Sequence, residues 1–422
     1  MIYSDDTSGY IFKLKLRILC EGLNFDKNSL AKLRRTFNYK SDPGIYNVSQ
    51  VSDPGIDLPQ EIILRDVHST AYTVVAAAHY PESTMLVTYL ANGNLGIIDT
   101  SNQTILPVLV ELPETPAFWN NETIPGYKDI RILSTCGLYQ ANLWLFHECA
   151  LPDKNQECRF CGVKCIENAK NKNNLFSLHN AIHHPQDESK KMILLAPSIA
   201  KILRKAIAEY YFDHCHLVFI SGNLPVGMED YIWEYILIPL LKTLRKEFDL
   251  QKLEAMAILT PPRNIQLLNL AYDAGLPAVS FNMEFFSKKY FKSLCPAKYE
   301  YGYENYIKAL KHAVKVFGKN KVFTNLIVGI EPIEETLKGI LYLAEQNIVA
   351  NPVIFHRDWG AKMWNVKIKN PSEIWMLFKK TAEVFASRNF IPPYCLSCAR
   401  TSLIHEATKN LLIGDYNVDQ LL

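Results

Sequence analysis

The sequence predicts an α/β protein built as a partial (β/α)6 TIM-like barrel, with a mainly β module before it and an extension that contains cysteines after it. From about residue 140, short apolar segments alternate with long amphipathic segments, which is the pattern of βα units around a parallel sheet. Before that point the apolar segments are short, rich in β-branched residues and separated by turn residues. We therefore expect a β module over 1–135, a barrel over 136–370 and a helical extension over 371–422.

The clearest element of the β module is a hairpin. Two apolar, β-branched segments, 84–90 and 95–99, flank the four residues 91–94. Within those four, Asn92-Gly93 supplies the positive φ angles that a tight turn between antiparallel strands requires. This pattern indicates that the region forms a sheet of its own.

Six apolar segments are predicted to be the parallel strands of the barrel: 143–146, 216–220, 255–259, 278–282, 322–328 and 352–355. Amphipathic segments predict helices over 198–211, 231–247, 262–274, 305–317 and 333–346. Gly275 and Gly318 follow two of these helices, where the left-handed conformation of a helix C-terminus favours glycine. The polar segment 179–191, which contains three histidines, is predicted to be a solvated loop.

The composition restricts the class of protein. Apolar residues make up 48% and charged residues 21% of the 422 residues, as in an ordinary globular protein. The 45 Lys and Arg exceed the 43 Asp and Glu by only two charges, far from the basic excess that nucleic-acid binding requires. The sequence has neither an apolar run of membrane-spanning length nor the apolar core of a signal peptide in its first ten residues. We expect a soluble cytoplasmic protein with neither a nucleic-acid nor a membrane partner.

Five of the ten cysteines fall into two groups, Cys149/Cys158/Cys161 and Cys395/Cys398. The cytosol keeps cysteines reduced, so clustered thiols there indicate metal binding or catalysis. The first group lies in the loop that leaves the first predicted strand, and strand-end loops carry the ligand site in parallel α/β folds. Three thiolates can hold three irons of a [4Fe–4S] cluster and leave the fourth iron open to a small molecule.

A zinc-binding loop is the alternative interpretation of the first group. Cys-x2-Cys pairs are common zinc ligands, and Cys158 and Cys161 with Cys165 and either Cys149 or His147 provide four donors. The rest of the chain must decide between a cluster and zinc.

The segment Cys158-Arg-Phe160-Cys161 resembles the cluster motif of the radical S-adenosylmethionine (SAM) superfamily. That family typically spaces its ligands Cys-x3-Cys-x2-Cys, with an aromatic residue, here Phe160, just before the last cysteine. The first interval departs from the pattern, since Cys149 and Cys158 are spaced Cys-x8-Cys, and it leaves the identity of the first ligand open. The resemblance implies a [4Fe–4S] cluster on Cys149, Cys158 and Cys161, with SAM bound at its open iron.

Two strand ends downstream resemble SAM-binding segments of the same superfamily. Ser221, Gly222 and Asn223 end the second predicted strand and resemble the turn that binds the aminocarboxylate of SAM. Asn282 and Glu284 alternate on one face of the fourth predicted strand. A buried carboxylate requires a partner, and the resemblance implies the ribose hydroxyls of SAM as the partner of Glu284. The alternative is that Glu284 is exposed where the strand ends.

A third resemblance lies at the end of the fifth predicted strand. There the chain runs through Asn325 into Gly329-Ile-Glu331, which resembles the family's Gly-x-Glu segment, whose backbone contacts adenine. A glycine lets the chain approach a flat ring closely. His356 ends the sixth predicted strand, where polar residues of barrels often contact substrate.

The resemblance, which is greatest to biotin synthase and lipoyl synthase, implies a defined chemistry. One electron cleaves SAM at the cluster, and the 5′-deoxyadenosyl radical so formed abstracts hydrogen from a small-molecule or peptide substrate. An electron donor such as flavodoxin or ferredoxin is implied as a partner. Two other classes stay open on the residues alone: a zinc-binding hydrolase on the same barrel that uses His356 and Glu284, and a non-catalytic iron–sulfur interaction protein.

Cys395 and Cys398 form a second Cys-x2-Cys pair near the end of the sequence. They are candidate ligands of a second iron–sulfur cluster or of zinc, for which two thiolates are too few. Cys165, Cys295 and His405 are candidates for the further ligands by residue type. The alternative is a pair of reduced structural cysteines on a turn.

Overall fold

The computed structural model describes residues 9–33, 58–114, 133–146, 149–152, 155–162, 178–210, 216–358 and 360–416. His147 and Cys165, which the sequence offers as metal ligands, lie outside the described residues. The strands are β1 (Asn24–Phe25), β2 (Glu61–Asp66), β3 (Tyr72–Ala76), β4 (Met85–Tyr89), β5 (Leu95–Asp99), β6 (Thr104–Ile105), β7 (Val108–Glu111), β8 (Leu133–Cys136), β9 (Gln140–Trp144), β10 (His216–Ile220), β11 (Met256–Ile258), β12 (Ala278–Ser280), β13 (Val322–Val328) and β14 (Val349–Ile354).

The helices are α1 (Tyr10–Glu21), α2 (Lys27–Leu33), α3 (Leu178–His183), α4 (Pro185–Tyr210), α5 (Glu229–Tyr231), α6 (Ile238–Leu244), α7 (Gln266–Asp273), α8 (Lys288–Leu294), α9 (Pro296–Tyr301), α10 (Tyr303–Phe317), α11 (Ile333–Glu345), α12 (Pro371–Arg388) and α13 (Ile404–Thr408). A π-helical segment, Ile232–Leu237, joins α5 to α6. Among the described helices, none has both the length and the hydropathy of a membrane-spanning segment.

Seven strands form the central sheet, in the order β14-β13-β12-β11-β10-β9-β8. The strands β9 to β14 pair in parallel, and β8 pairs antiparallel with β9. Each of the six predicted strand segments overlaps one of these parallel strands, and two of them match β10 and β13 residue for residue. The chain is therefore an α/β protein with a parallel sheet.

The central strands are apolar because both of their faces are covered. All five residues of β9 and all five of β10 are buried. On the outside, α10 turns an apolar face inward, with Tyr306, Leu310, Ala313 and Phe317 buried at helical spacing. A strand with two covered faces is a near-continuous apolar run, which is why these segments were recognisable in the sequence.

The segment 179–191 is helical rather than a loop, so that prediction is wrong. It forms most of α3 and the beginning of α4. Pro185 is the first residue of α4, where its missing N–H costs no hydrogen bond, and Asp187 follows in the first turn, where the helix dipole favours a carboxylate. Ala181 and Met192 anchor the segment in the core. Most of its polar residues, such as His183, His184 and Asp187, are exposed, and composition alone does not distinguish such a helix face from a loop.

The strands β1 to β7 form two smaller sheets, in the orders β1-β4-β5-β6 and β3-β2-β7. The predicted hairpin is present, since β4 and β5 pair antiparallel with Met85 opposite Asp99 and Tyr89 opposite Leu95. The helix α1 is buried along almost its whole length and packs against β2, β3 and α12. It therefore connects the small sheets to the C-terminal part of the chain.

The segment Ser397–Ser402, called the closing segment below, lies between the two edges of the central sheet. At one edge, the N–H of Leu138 in the β8–β9 turn donates to the Ser397 carbonyl at 3.1 Å. At the other edge, the N–H of Ile354 in β14 donates to the Thr401 carbonyl at 2.9 Å. The closing segment is thus hydrogen-bonded to both sides of the central sheet.

Buried ion pairs fasten the C-terminal region to the small sheets. Lys15 Nζ lies 2.6 Å from Glu406 Oε1, and Arg400 Nη1 lies 2.6 Å from Glu61 Oε2. All four side chains are at most 2% exposed. The N–H of Ala76 in β3 also donates to the Arg400 carbonyl at 3.1 Å. These contacts fasten the described part of the C-terminal region to α1, β2 and β3.

Candidate active site

A cavity of about 320 Å³ extends along the inside of the central sheet. At the carboxyl ends of the strands it is lined by the three thiols of the predicted cluster loop, Cys149, Cys158 and Cys161. Toward the amino ends it reaches Gln140, the first residue of β9, and Cys398. One cavity therefore connects the two groups of cysteines that the sequence separates by more than two hundred residues.

Cys149 is tied to the turn that follows β10. The Ala150 N–H donates to the Asn223 carbonyl at 2.8 Å, which joins the cluster loop to the Ser-Gly-Asn turn. Burial raises the pKa of the Cys149 thiol to about 11, although N–H groups of Leu151 and Asn223 stabilise the thiolate. The long first interval thus leaves Cys149 on the same cavity as the other two thiols.

Cys158 lies beside Lys298, a residue that sequence reasoning missed. A hydrogen bond with the Cys295 thiol lowers the pKa of Cys158, burial opposes this effect, and the charge of Lys298 adds to the lowering. Lys298 Nζ lies 2.6 Å from Glu284 Oε1 and donates to the Asn282 carbonyl at 2.8 Å. Cys295, a candidate ligand for the C-terminal pair, instead belongs to the surroundings of Cys158.

Phe160 and Cys161 belong to a tight turn. The Cys161 N–H donates to the Cys158 carbonyl at 3.1 Å. The Phe160 ring packs edge-on against Phe285, with ring centroids 5.8 Å apart. The aromatic residue of the motif therefore anchors the turn that carries the two closely spaced thiols.

Seven of the nine residues predicted to bind cofactor line the same cavity: Phe160, Ser221, Gly222, Asn223, Asn282, Glu284 and Asn325. Hydrogen bonds fix their orientation. Thr260 Oγ1 donates to Asn223 Oδ1 at 2.6 Å, and the Asn325 N–H donates to Asn282 Oδ1 at 3.2 Å. The strand ends thus gather these residues and the thiols at one place, as parallel strands require.

Gly329 and Glu331 are not among the residues that line this cavity. The Glu331 carboxylate accepts hydrogen bonds from the N–H groups of Phe286 and Ser287 at 3.1 and 2.9 Å. Burial raises the pKa of Glu331, and these hydrogen bonds oppose it. Gly329 has a φ of +99°, and a Cβ there would lie 3.2 Å from Ile368. Glu331 and Gly329 therefore make contacts with neighbouring loop residues rather than with the cavity.

Glu284 does not continue the alternation of its strand. The strand β12 ends at Ser280, and Glu284 has a φ of +65°. Its backbone bonds to β13, since the Glu284 N–H donates to the Asn325 carbonyl at 2.9 Å and the Glu284 carbonyl accepts from the Ile327 N–H at 2.6 Å. The side chain is 12% exposed and pairs with Lys298. The prediction of a period-two strand face is wrong here, and so is the alternative of an exposed carboxylate.

His356 lines the cavity beyond the end of β14. Its Nε2 lies 3.1 Å from Asp358 Oδ1, and Asp358 Oδ2 accepts a hydrogen bond from the Gly162 N–H of the cluster loop at 3.3 Å. The hydrolase alternative needs Glu284 as a free base beside His356. Because Lys298 pairs with that carboxylate, the geometry counts against a hydrolase.

Side-chain amides that the sequence analysis did not connect line the cavity between its two ends. Gln140 Nε2 donates to Asn142 Oδ1 at 2.7 Å, and Asn351 Nδ2 donates to Asn325 Oδ1 at 2.8 Å. These residues lie on β9, β13 and β14. An asparagine inside an otherwise apolar strand was the available signal, because a buried amide requires hydrogen-bond partners.

Cys395 and Cys398 lie near the amino end of β10. Among the residues that the structure describes, His216, Cys395 and Cys398 form the one group whose three ligand atoms lie within 4.8 Å of one another. His405, a predicted further ligand, is not part of this group. Sequence reasoning missed His216 because it precedes Cys395 by 179 residues.

Comparison with known proteins gives one clear relative. No protein-family model matches the chain. The chain is 27% identical over 154 residues to the bacteriochlorophyllide c C-7(1)-hydroxylase of Chlorobaculum limnaeum. The match covers 36% of this chain and 38% of the hydroxylase, so the chain spans well under half of its relative.

Three solved structures are also similar. SuiB of Streptococcus suis is 13% identical with a TM-score of 0.39, covering 75% of this chain and 72% of SuiB. Methylornithine synthase (PylB) is 13% identical with a TM-score of 0.37, and the match covers 72% of this chain and 85% of PylB. The hydrogenase maturase HydG of Carboxydothermus hydrogenoformans is 14% identical with a TM-score of 0.37, and the match covers 59% of this chain and 51% of HydG.

The hydroxylase and these three proteins are members of the radical SAM superfamily. The sequence match to the hydroxylase confirms the similarity of this chain to a radical SAM enzyme, which the cysteine motif predicts.

Proposed function

We propose that this chain is a radical SAM enzyme that holds a [4Fe–4S] cluster on Cys149, Cys158 and Cys161. It cleaves SAM reductively and abstracts hydrogen from a substrate. The observation that carries the proposal is the meeting of the three thiols with the Ser-Gly-Asn turn at one cavity. The sequence similarity to a radical SAM hydroxylase supports it.

The donor set fits a cluster better than a single zinc ion. Tetrahedral zinc with Zn–S bonds of about 2.3 Å brings its ligand sulfurs to within about 4 Å of one another. Among the described residues, the loop thiols do not form a group as close as 4.8 Å. A four-iron cluster binds each thiolate at a separate iron and accepts this wider spacing. When bound, the cluster and SAM supply one-electron cleavage and a radical at the 5′ carbon.

The chain's own residues bind and orient the cofactor. Asn223, held by Thr260, presents its amide at the thiols, where the amino and carboxylate groups of SAM belong. Burial lowers the pKa of Lys298, but Glu284 and other neighbouring groups outweigh burial and hold that pKa well above its ordinary value. Lys298 therefore stays charged beside Cys158 and offsets the negative charge of a thiolate-bound cluster.

We propose that the central sheet is the wall of a partial (β/α)6 barrel. Six parallel strands in sequential order support this, and the closing segment fills the remaining gap. A wall without an open edge excludes water from the interior, which radical chemistry requires. The closing segment is in this view part of the reaction chamber.

The substrate site is proposed between the thiols and the closing segment. The groups that line this part are neutral amides, Gln140, Asn142 and Asn351, together with apolar side chains. Arg400, the charged residue of the closing segment that lines the cavity, pairs with Glu61. These groups favour an uncharged small molecule with several hydrogen-bonding groups. The relative's name specifies hydroxylation at a carbon of bacteriochlorophyllide c, and reaction at a carbon–hydrogen bond is proposed here too.

A reducing partner completes the proposal. Each reductive cleavage of SAM consumes one electron, so a small electron carrier such as flavodoxin or ferredoxin is required. The cytoplasm, where thiols stay reduced, is the compartment that suits this chemistry.

Anaerobic reconstitution of the full chain with iron and sulfide tests the proposal. We expect about four irons per chain whose binding depends on the cysteines of the cluster loop. The reduced cluster should be visible by electron paramagnetic resonance, and its signal should change when SAM binds. Cys149→Ala, Cys158→Ala and Cys161→Ala should each remove those irons, while Cys20→Ala, a buried thiol of α1 outside the cavity, should keep them. A wild-type chain without iron–sulfur absorption, or unchanged iron in all three variants, would overturn the proposal.

A further inference from the structure

A second group of ligating side chains lies at the other end of the cavity from the cluster loop. His216 is the first residue of β10, whereas Ser221, near the predicted cluster, follows its last residue. Cys395 and Cys398 approach His216 from the C-terminal region, just before and within the closing segment. The length of a strand therefore separates this group from the cluster loop, and the two sites do not share ligands.

The compactness of the group matches a single metal ion. The histidine nitrogen and the two sulfurs lie within 4.8 Å of one another. Tetrahedral zinc, with Zn–N of about 2.0 Å and Zn–S of about 2.3 Å, requires ligand atoms about 3.3 to 3.8 Å apart, which small side-chain rotations would reach. A [4Fe–4S] cluster binds each of its thiolates at a separate iron, which places the sulfurs further apart than this.

Glu254 supplies the supporting contact that a histidine ligand needs. Its Oε2 lies 2.8 Å from His216 Nδ1 and accepts a hydrogen bond from it. The other ring nitrogen, Nε2, then faces the C-terminal pair and accepts a hydrogen bond from the Cys395 N–H at 3.3 Å, which a bound ion would replace. Carboxylate–histidine–metal arrangements of this kind fix the tautomer and the ring orientation. Tyr394 packs edge-on against the same ring at 5.7 Å.

The two cysteines lie on a turn whose backbone supports thiolate ligands. The N–H groups of Cys398 and Ala399 both donate to the Cys395 carbonyl, at 3.0 and 2.9 Å. The Tyr139 N–H, in the β8–β9 turn, contacts the Cys398 sulfur. Cys136, three residues before that tyrosine, lines the same cavity as Cys398. Its thiol lies outside the group of three, so a side-chain rotation on metal binding would make it the fourth ligand.

We propose that His216, Cys395 and Cys398, with Cys136 as the fourth ligand, bind one zinc ion that fastens the closing segment to the central sheet. The ligands come from the edge strand β8, from the interior strand β10 and from the C-terminal region, where Cys398 belongs to the closing segment. The ion is structural, because four protein ligands leave no open position. This site is independent of the proposed SAM chemistry.

Metal analysis of the full chain tests the proposal, because the zinc content and the iron content should depend on different cysteines. We expect one zinc per chain after anaerobic purification, lost in Cys395→Ser and Cys398→Ser with the iron of the cluster loop retained. Cys158→Ala should show the reverse, loss of iron with zinc retained. Failure of the proposed function would remove the iron and leave the zinc, so the two proposals fail separately.

Two further measurements hold even if a cysteine variant misfolds. Glu254 is 43% exposed, so Glu254→Gln should fold, and its zinc affinity should fall about 10- to 100-fold in competition with a chromogenic chelator. In a Cys158→Ala/Cys161→Ala background without cluster absorption, Co²⁺ should give the visible bands of a tetrahedral thiolate site. Cys136→Ser should then weaken the sulfur-to-cobalt band by about a third, since one of three thiolates is lost.

Three results would overturn the zinc site. The first is a wild-type chain with neither zinc nor cobalt bands. The second is loss of iron, rather than zinc, in Cys395→Ser, which would indicate a second iron–sulfur cluster. The third is zinc that stays bound in both Cys395→Ser and Cys398→Ser, which would place the ion elsewhere.

Discussion

The buried pair of Lys15 and Glu406 gives the most quantitative test of how the fold is held together. Lys15 lies on α1 and Glu406 on α13, and neither side chain is exposed to solvent. Lys15 Nζ also donates to the Ala399 carbonyl at 2.8 Å, and Thr73 Oγ1 donates to Glu406 Oε1 at 2.8 Å. The perturbation is Lys15→Met, which keeps the length of the side chain and removes its charge.

The expected loss follows from the geometry. At 2.6 Å and an effective dielectric constant of about 20, the attraction between Lys15 and Glu406 is about 6 kcal/mol. Desolvation costs several kcal/mol for each ion, so the intact pair is close to neutral in its net effect. Burial lowers the pKa of Lys15 in spite of Glu406, which agrees with a large desolvation cost. Lys15→Met leaves the Glu406 carboxylate buried without a cation, at a cost of about 3 to 5 kcal/mol.

Chemical denaturation followed by tryptophan fluorescence measures this loss, and a double variant separates charge from packing. Adding Glu406→Leu to Lys15→Met removes the unpaired charge, so most of the lost stability should return. A Lys15→Met variant within about 1 kcal/mol of the wild type would refute the reasoning. A double variant as unstable as the sum of its singles would refute it as well.

Two further predictions concern the closing segment and the dependence of stability on pH. Gly137 has a φ of +64°, and a Cβ there would lie 2.3 Å from the Ser397 carbonyl oxygen. Gly137→Ala should therefore lower the free energy of unfolding by at least about 2 kcal/mol, measured by thermal unfolding. The control Gly93→Ala should lose about 1 kcal/mol, because its φ is also positive but its Cβ would meet nothing within 4 Å. Equal losses in the two variants would contradict the contact with Ser397. Burial raises the pKa of Asp99, but hydrogen bonds from a neighbouring serine and Arg17 outweigh burial and lower it. The stability that this carboxylate contributes is present above about pH 4 and is lost as the pH falls through its lower folded pKa. The destabilisation by Asp99→Asn should thus shrink between about pH 7 and pH 3, and a constant difference would contradict the shift.

The parallel strands could be predicted from the sequence because their cause is local. A strand that is covered on both faces is mostly apolar, as β10 is after His216 and β13 is apart from Thr324 and Asn325. The meeting of Cys149, Cys158 and Cys161 with the Ser-Gly-Asn turn could also be predicted, since the carboxyl ends of parallel strands share one edge.

The parts that the sequence did not predict depend on distant contacts. Lys298 lies on α9, and its position beside Cys158 and Glu284 follows from the packing of α9 under the cluster loop. The sequence places His216 in a strand but does not indicate that it could bind a metal, because its partners Cys395 and Cys398 come from the far end of the chain. No periodicity marks a contact of this kind.

Glu284 and Glu331 illustrate a different limit. Both follow strands, and their sequence patterns resemble cofactor-binding segments. The positive φ of Glu284 turns it away from the alternation that the pattern assumes, and the backbone N–H groups that bind Glu331 belong to a loop after β12. Backbone conformation beyond the end of a strand is set by tertiary packing, which the residue order does not show.

Formation of 5′-deoxyadenosine from SAM tests the central claim most directly. The reconstituted full chain is reduced anaerobically with dithionite, incubated with SAM, and assayed for 5′-deoxyadenosine by chromatography and mass spectrometry. We expect 5′-deoxyadenosine from the wild-type chain and from Cys395→Ser that has been reconstituted with iron, and none from Cys158→Ala or Cys161→Ala. A fully reconstituted wild-type chain that forms no 5′-deoxyadenosine, or a Cys158→Ala variant that forms as much as the wild type, would contradict it.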